Sequence, residues 1–334
     1  MLYRRKWHLA TGRANLLGIG GENMVKPKSA VMLKMQSLGT LVGESAFRPM
    51  TGESKKPLLV SPEELAVTFI GHSSFLVQIA GRKLLMDPVF AERLIALRRL
   101  RRPGVRIKEL PAIDIVFLSH AHMDHLNRPS LRRIVAHTLK MTGRAPIAVV
   151  PWGVEDLVAD LSFARVVTLE WWQTKSISGL EITMTPCKHW GARFFKDTHR
   201  GFGGYVIRGG GHTLYHSGDT AYFDGFAKIG ERLKPEIALL PIGAYSPDSY
   251  RGVHTCPEEA LQAFLDLGAR QMIPMHYGTF RLSQEPMEEP VERLMAAARR
   301  AGVAGSVCVL PEGDTEVIRP VHVPVHTRRA AAKG

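Results

Sequence analysis

The run DIVFLSHAHMDHL, residues 114–126, constrains the fold of this 334-residue chain more than any other stretch. Its first half is a short apolar run, the pattern of a buried strand. Its second half gathers His120, His122, Asp124 and His125 within six residues. Side chains that only hydrogen-bond singly do not need such crowding, whereas metal ions do. Zinc takes imidazole nitrogen and carboxylate oxygen at about 2.0–2.1 Å. Four ligands so close in sequence do not easily reach one ion at undistorted geometry, so a pair of ions is the natural division. A ligand turn placed directly after a strand needs a rigid sheet to fix it.

The flanking sequence supplies such a sheet. LAVTFIG, SFLVQIAG and RKLLMDPVF are short apolar runs separated by glycine turns, as in a strand meander. After DIVFLS the pattern alternates. PSLRRIVAHTLKM reads as a helix with Pro129 near its start, PIAVVP as a strand, GVEDLVADL as a helix and LEITMTP as a strand. GGYVIRGGGHTLYHSGD reads as a hairpin turning at Gly209 to Gly211, and EIALLPIGAY as a buried strand. CPEEALQAFLDLG is a helix closed by Gly268, followed by strand RQMIPMHYG and a last helix, PVERLMAAARRAG. One mixed α/β domain over residues 65–320 is the simplest account, with an irregular N-terminal extension at 1–64 and a frayed tail at 321–334.

The ligand turn alone does not complete a two-metal site, and further candidates end other apolar runs. His189 follows LEITMTPCK, Asp219 follows HTLYHSG, and His276 follows RQMIPM. Strand ends are where an α/β scaffold exposes functional groups. A carboxylate such as Asp219 can bridge two cations about 3.5–4 Å apart.

Together these residues resemble the metal-site pattern of the metallo-β-lactamase superfamily: HxHxDH, a later His, Gly-Asp after a strand, and a late His. The resemblance implies a four-layer αββα sandwich with the site at one edge. It assigns His120, His122 and His189 to a first Zn2+, Asp124, His125 and His276 to a second, and Asp219 to the bridge. VTFIGHSSFLV, LMDPVF, VVPWG, LEWWQ, TPCKHW, HSGDT, PIGAYSP, VHTCPEEA and HYGTF follow in order. Over residues 65–282 they look like the N-acyl-phosphatidylethanolamine-hydrolysing phospholipase D group and its bacterial relatives. That likeness implies a zinc-dependent phosphodiesterase acting through a metal-bound hydroxide, with Asp124, Asp219 and His254 as catalytic candidates. Asp87 resembles the carboxylate that orients a metal-bound histidine. His254 is expected near the metals, there to bind phosphate or assist proton transfer. His72, in the GH turn, is expected to make a structural hydrogen bond, and Tyr245 is a candidate pocket residue. Of Trp171, Trp172 and Trp190, two are expected to pack. Cys187 and Cys256 read as small buried fillers.

Charge bears on partners. The formal net charge is +13, which favours anionic partners. An anionic phosphate-bearing small molecule or phospholipid fits. The basic segment 93–106 reads either as a solvated helix or loop face or as a phosphate-attracting lip. On the lipase reading it would face an anionic membrane surface. Nucleic-acid hydrolysis also suits the charge, but those branches carry an added arm for which the motif spacing leaves no room. A sugar-phosphate lactonase, resembling the L-ascorbate-6-phosphate enzyme, shares all but the tryptophan-bearing motifs. The di-iron oxygen reductases place Glu where this chain has His122. A binding protein with one structural zinc would need only four ligands. Three unspaced cysteines, no secretory signal pattern and no apolar run of spanning length lead to an expectation of a cytoplasmic protein, peripheral at most.

Overall fold

The computed structural model describes residues 48–193 and 197–319, with isolated positions between 39 and 45. The expected extension before residue 48 and the tail at 321–334 otherwise lie outside the described residues. β1 (Leu65–Gly71), β2 (Ser74–Ile79) and β3 (Arg82–Met86) form the antiparallel meander that the glycine turns predict. A short hairpin follows, β4 (Arg93–Leu94) and β5 (Leu97–Arg98). β6 (Ile115–Phe117) then leads through the ligand turn into helix α1 (Arg128–Thr142), and β7 (Ile147–Pro151) and β8 (Arg165–Leu169) extend the sheet in parallel.

The second sheet begins with β9 (Thr174–Ile177), β10 (Leu180–Thr185), β11 (Gly204–Gly209) and β12 (His212–His216), all antiparallel. Helix α2 (Gly225–Leu233), β13 (Ile237–Pro241), helix α3 (Pro257–Leu267) and β14 (Gln271–Met275) add two parallel strands. After helix α4 (Glu289–Arg300), β15 (Thr315–Ile318) returns to pair with β1. The sheet orders are β15-β1-β2-β3-β6-β7-β8 and β14-β13-β12-β11-β10-β9.

Period-two alternation explains the layering. In β2, Phe75, Val77 and Ile79 face the core between the sheets, while Leu76 faces outward. In β13, Ile237 and Leu239 enter the same central core, and Ala238 and Leu240 face the helices. Helix α1 covers the first sheet through Leu131 and Ile134; α2, α3 and α4 cover the second. The result is the αββα sandwich.

Two readings of local structure need correcting. GVEDLVADL forms only a 3-10 turn, Glu155–Leu157, and Val158 already has φ −124°. One turn suffices to send Val154, Val158 and Leu161 into the core, so helical spacing arises without a helix. The basic segment is not helical either. Its Arg99 is fully buried, donating to the carbonyls of Val89, Ala91 and Arg101 and lying 5.0 Å from the Phe280 ring centre. Burial pushes its pKa down to about 10, and that guanidinium is lost to the surface. β8, β9, α2 and β15 are elements that the apolar patterns did not single out. Among the described residues no helix is long and apolar enough to cross a membrane.

Candidate metal centre

The ligand turn is built by one tight bend. The amides of His125 and Leu126 both donate to the His122 carbonyl, at 3.1 and 2.7 Å. Asn127 then caps α1, accepting from the Ser130 amide at 3.0 Å, with Pro129 in the first turn. Asp219 leaves β12 through Gly218 at φ +62°, where a Cβ would lie 2.8 Å from that of Ser119. Only glycine lets the two ligand loops approach this closely. His276 ends β14 and donates its amide to the His72 carbonyl at 3.0 Å, so both sheets meet there. His72, Asp87 and His276 all have positive φ, at 59°, 39° and 61°. Such backbone strain in non-glycine residues concentrates at functional sites.

These loops bring the predicted ligands into two groups of four, and Asp219 and His276 form a third group with His254. His120, His122, His189 and Asp219 form one; His72, Asp124, His125 and His276 form the other, with donor atoms within 4.8 Å of one another. In the first, His120 Nε2 and His122 Nδ1 are 2.8 Å apart, and His189 Nε2 is 3.3 Å from His122 Nδ1. Asp219 Oδ2 lies 4.0 Å from both His120 and His189, and 3.2 and 3.0 Å from the Nε2 atoms of His125 and His276. Asp219 therefore stands between the groups. His72 enters the second group through a 3.0 Å contact with Asp124 Oδ2. His254 Nδ1 is 3.9 Å from Asp219 Oδ2. Tyr245 stands apart: its hydroxyl donates to Glu289 at 2.7 Å and Arg293 covers its ring, so it does not line the metal pocket.

Surrounding groups fix the imidazole tautomers. Asp87 Oδ2 accepts from His125 Nδ1 at 2.7 Å and from Ser119 Oγ at 2.6 Å, while Asp87 Oδ1 accepts from the Ser119 amide at 2.7 Å. Ser119 Oγ in turn accepts from His120 Nδ1 at 2.9 Å. His189 Nδ1 donates to the Val253 carbonyl at 2.9 Å. Each of these rings thereby turns Nε2 toward the ligand groups. Ser119 and His216 are residues that the sequence reading passed over. His216 Nδ1 accepts from the Gly218 amide at 3.1 Å, steadying the Asp219 loop, and the HSG triplet was the available signal.

The donor set fits divalent cations. His125 Nε2 and His276 Nε2 are buried and lie at ion-pair distance from Asp219, yet neither has the alignment of a hydrogen bond. Asp219 Oδ1 is likewise buried without a hydrogen-bond partner among the described residues. Atoms about 2.0–2.1 Å from one tetrahedral ion lie roughly 3.4 Å from each other, within the spread seen here. Electrostatics agree. Burial opposes ionisation of Asp219, but His125 and His276 outweigh it and hold the carboxyl well below its ordinary range. Burial also works against protonating His276, but Asp219 and Asp124 raise it to about 9. His120 and His189 are pushed well below the ordinary imidazole value, first by burial. Neutral imidazoles at His120 and His189, beside carboxylates that draw positive charge onto His125 and His276, suit zinc and its neighbours.

A cavity of about 350 Å³ opens onto both groups. Its wall is largely apolar: Leu94, Ile95 and Leu97 from the hairpin, Met123, Leu282 and Trp190. Trp190 is about half exposed, its ring centre 4.4 Å from that of His122. Trp171 and Trp172 pack elsewhere, against Trp152 and Phe202 and under Arg232. Cys187 and Cys256 are buried and belong to neither ligand group.

Residues 82–277, more than half the chain, match the family model described as a β-lactamase superfamily domain. The chain belongs to the metallo-β-lactamase superfamily. It is a metal-dependent hydrolase of that superfamily. An uncharacterised protein of Mycobacterium tuberculosis is 35% identical over 84% of this chain and 79% of its own length. N-acyl-phosphatidylethanolamine-hydrolysing phospholipase D 1 of Caenorhabditis elegans is 32% identical, over 70% of each chain. Among solved structures, a metallo hydrolase from Ignicoccus hospitalis superposes with a TM-score of 0.59 at 25% identity, covering 77% of this chain and 99% of that one.

Proposed function

We propose that this hydrolase is a zinc-dependent phosphodiesterase of phospholipase D type, acting on N-acyl-phosphatidylethanolamine-like phospholipids. The observation that carries the reading is the apolar wall of Leu94, Ile95, Leu97 and Trp190 directly beside the ligand groups. A sugar phosphate gains nothing from such a wall, whereas acyl chains bury apolar area at about 25 cal/mol per Å². The likeness to the nematode phospholipase supports the same substrate class.

Two zinc ions, held by His120, His122 and His189 and by Asp124, His125 and His276 with Asp219 between them, would supply an activated water and neutralise phosphoryl charge. The chain's own groups set the rest. Asp87 and Ser119 orient the imidazoles. Burial pushes His254 down to about 4, so its ring is neutral near pH 7. Its Nδ1, without a hydrogen-bond partner among the described residues, is then placed to accept a hydrogen bond or a proton, not to contribute a standing charge. The hairpin and Trp190 exclude water and receive the acyl chains. Ile95, 81% exposed at the hairpin tip between Arg93 and Arg98, meets an anionic membrane surface on the cytoplasmic side.

The test is a zinc-loaded assay on N-acyl-phosphatidylethanolamine beside a sugar-phosphate lactone and a simple phosphate bis-ester. The lipid should be the preferred substrate, and Asp219→Asn should abolish its hydrolysis. Preference for the lactone would overturn the substrate class, and an active Asp219→Asn variant would overturn the site.

A further inference from the structure

Three arginines cluster beside the ligand turn, and they are not equivalent. Arg128 pairs with Asp160 at 2.6 Å. Arg200 pairs with Asp156 and, at 3.0 Å, with Asp197. Arg193 has no carboxylate within ion-pair distance among the described residues. The carboxylate that acts on it is Asp197, already engaged by Arg200. Its Nη1 instead donates to the carbonyls of Ala121 and Leu126, at 2.9 and 3.0 Å, the two ends of the HxHxDH turn. Both carbonyls are neutral. Arg193 is partly buried and lines the same cavity as His122, Asp124, Asp219 and His254.

A guanidinium withdrawn from water without a counter-ion is costly, and burial together with Arg128 lowers its hold on the proton. The clasp on the turn uses one of its three nitrogens. Nε and Nη2 have no partner among the described residues, and a planar fork matches an anionic oxygen pair. Arg193 thus brings a positive charge without a counter-ion among the described residues into the cavity lined by His122, Asp124 and Asp219.

We propose that Arg193 is the anion-recognising residue of the pocket, taking the charged phosphoryl oxygen of the substrate while its clasp on Ala121 and Leu126 fixes it relative to the metals. The assignment rests on the phosphodiester reading above and goes beyond it by separating charge recognition from metal binding.

The test measures binding of dibutyl phosphate, which is anionic, and tributyl phosphate, which is neutral and of similar shape. Calorimetry would use the zinc-loaded full chain and its Arg193→Met and Arg193→Lys variants. Arg193→Met should weaken dibutyl phosphate about tenfold or more, leave tributyl phosphate and zinc content unchanged, and be partly rescued in Arg193→Lys. If Arg193 served only to hold the turn, Arg193→Met would lose zinc and both ligands together, which overturns the proposal. Equal binding of dibutyl phosphate by wild type and Arg193→Met overturns it as well. Charge discrimination in a protein that hydrolyses no phosphodiester would keep the anion site and discard the phosphodiesterase reading.

Discussion

At the floor of the pocket, short side-chain bonds tie the His120–His125 turn to Asp87, whereas the hairpin wall is held by a short ladder, a few backbone bonds and one buried guanidinium. Asp87, Ser119, His120 and His125 form a continuous chain of bonds between 2.6 and 2.9 Å. The wall-forming hairpin contributes only a four-residue ladder of its own, and Arg99 gathers the carbonyls at its base. On the phosphodiesterase proposal the difference matters because the two parts have different tasks. Ligand positions must be held within fractions of an ångström, while a wall that admits flexible chains needs only to be present. Floor and wall should accordingly fail separately, in different assays.

Asp87→Asn should produce the largest effect. The amide cannot accept from both His125 and Ser119 with full negative charge, so the rings lose their fixed tautomer. Metal affinity should fall by about 10–100-fold, read by chelator competition. Acid stability offers a second readout. Burial opposes the charged Asp87, but His125 outweighs it and lowers the folded pKa. A depressed carboxyl contributes stability that is complete above its unfolded value near 3.9 and is lost as pH falls toward the folded value. The metal-free Asn variant should therefore be the less stable at pH 7 and show a shallower loss in acid. Unchanged metal affinity would mean that Asp87 only fills the turn before Pro88.

The same division explains what the sequence made readable. His120 to His125 are adjacent in the chain and follow a buried strand, so local pattern alone exposes them. His189, Asp219 and His276 are distant in sequence, yet each ends an apolar run, and strand ends are visible as changes of period. Ser119 and His216 escaped because a serine or a strand histidine has no distinctive spacing; their roles arise only when two sheet edges meet. β15 escaped for a similar reason. TEVI is short and half polar, and its pairing partner β1 lies some 250 residues earlier in the chain. Arg99 read as one charge of the basic segment 93–106 and Arg193 carried no signal of its own, since burial and pairing are properties of the tertiary structure.

Arg99→Met should break the wall and spare the floor. Three carbonyls would lose their donor in a dry interior, at a cost of about 1–3 kcal/mol for each that stays unsatisfied, read in denaturant unfolding. Lysine lacks the planar fork and should rescue little. Zinc content should stay at the wild-type level, while limited proteolysis near residues 91–98 accelerates. Loss of zinc in this variant would show that wall and floor are one unit after all.

The smallest effect is expected at Ile95, and it separates folding from function. This residue sits at φ 54°, where a β-branched side chain is strained, and it is 81% exposed. Neither property helps the fold: an exposed side chain has little packing to lose, and asparagine tolerates the left-handed region better. Ile95→Asn should thus be neutral or up to about 1 kcal/mol more stable by thermal unfolding. Hydrolysis of lipid presented in anionic vesicles should fall, while turnover of a soluble bis-ester stays the same. A variant that is both destabilised and equally active on vesicles would assign Ile95 to the packing of the hairpin and remove it from the membrane-facing surface.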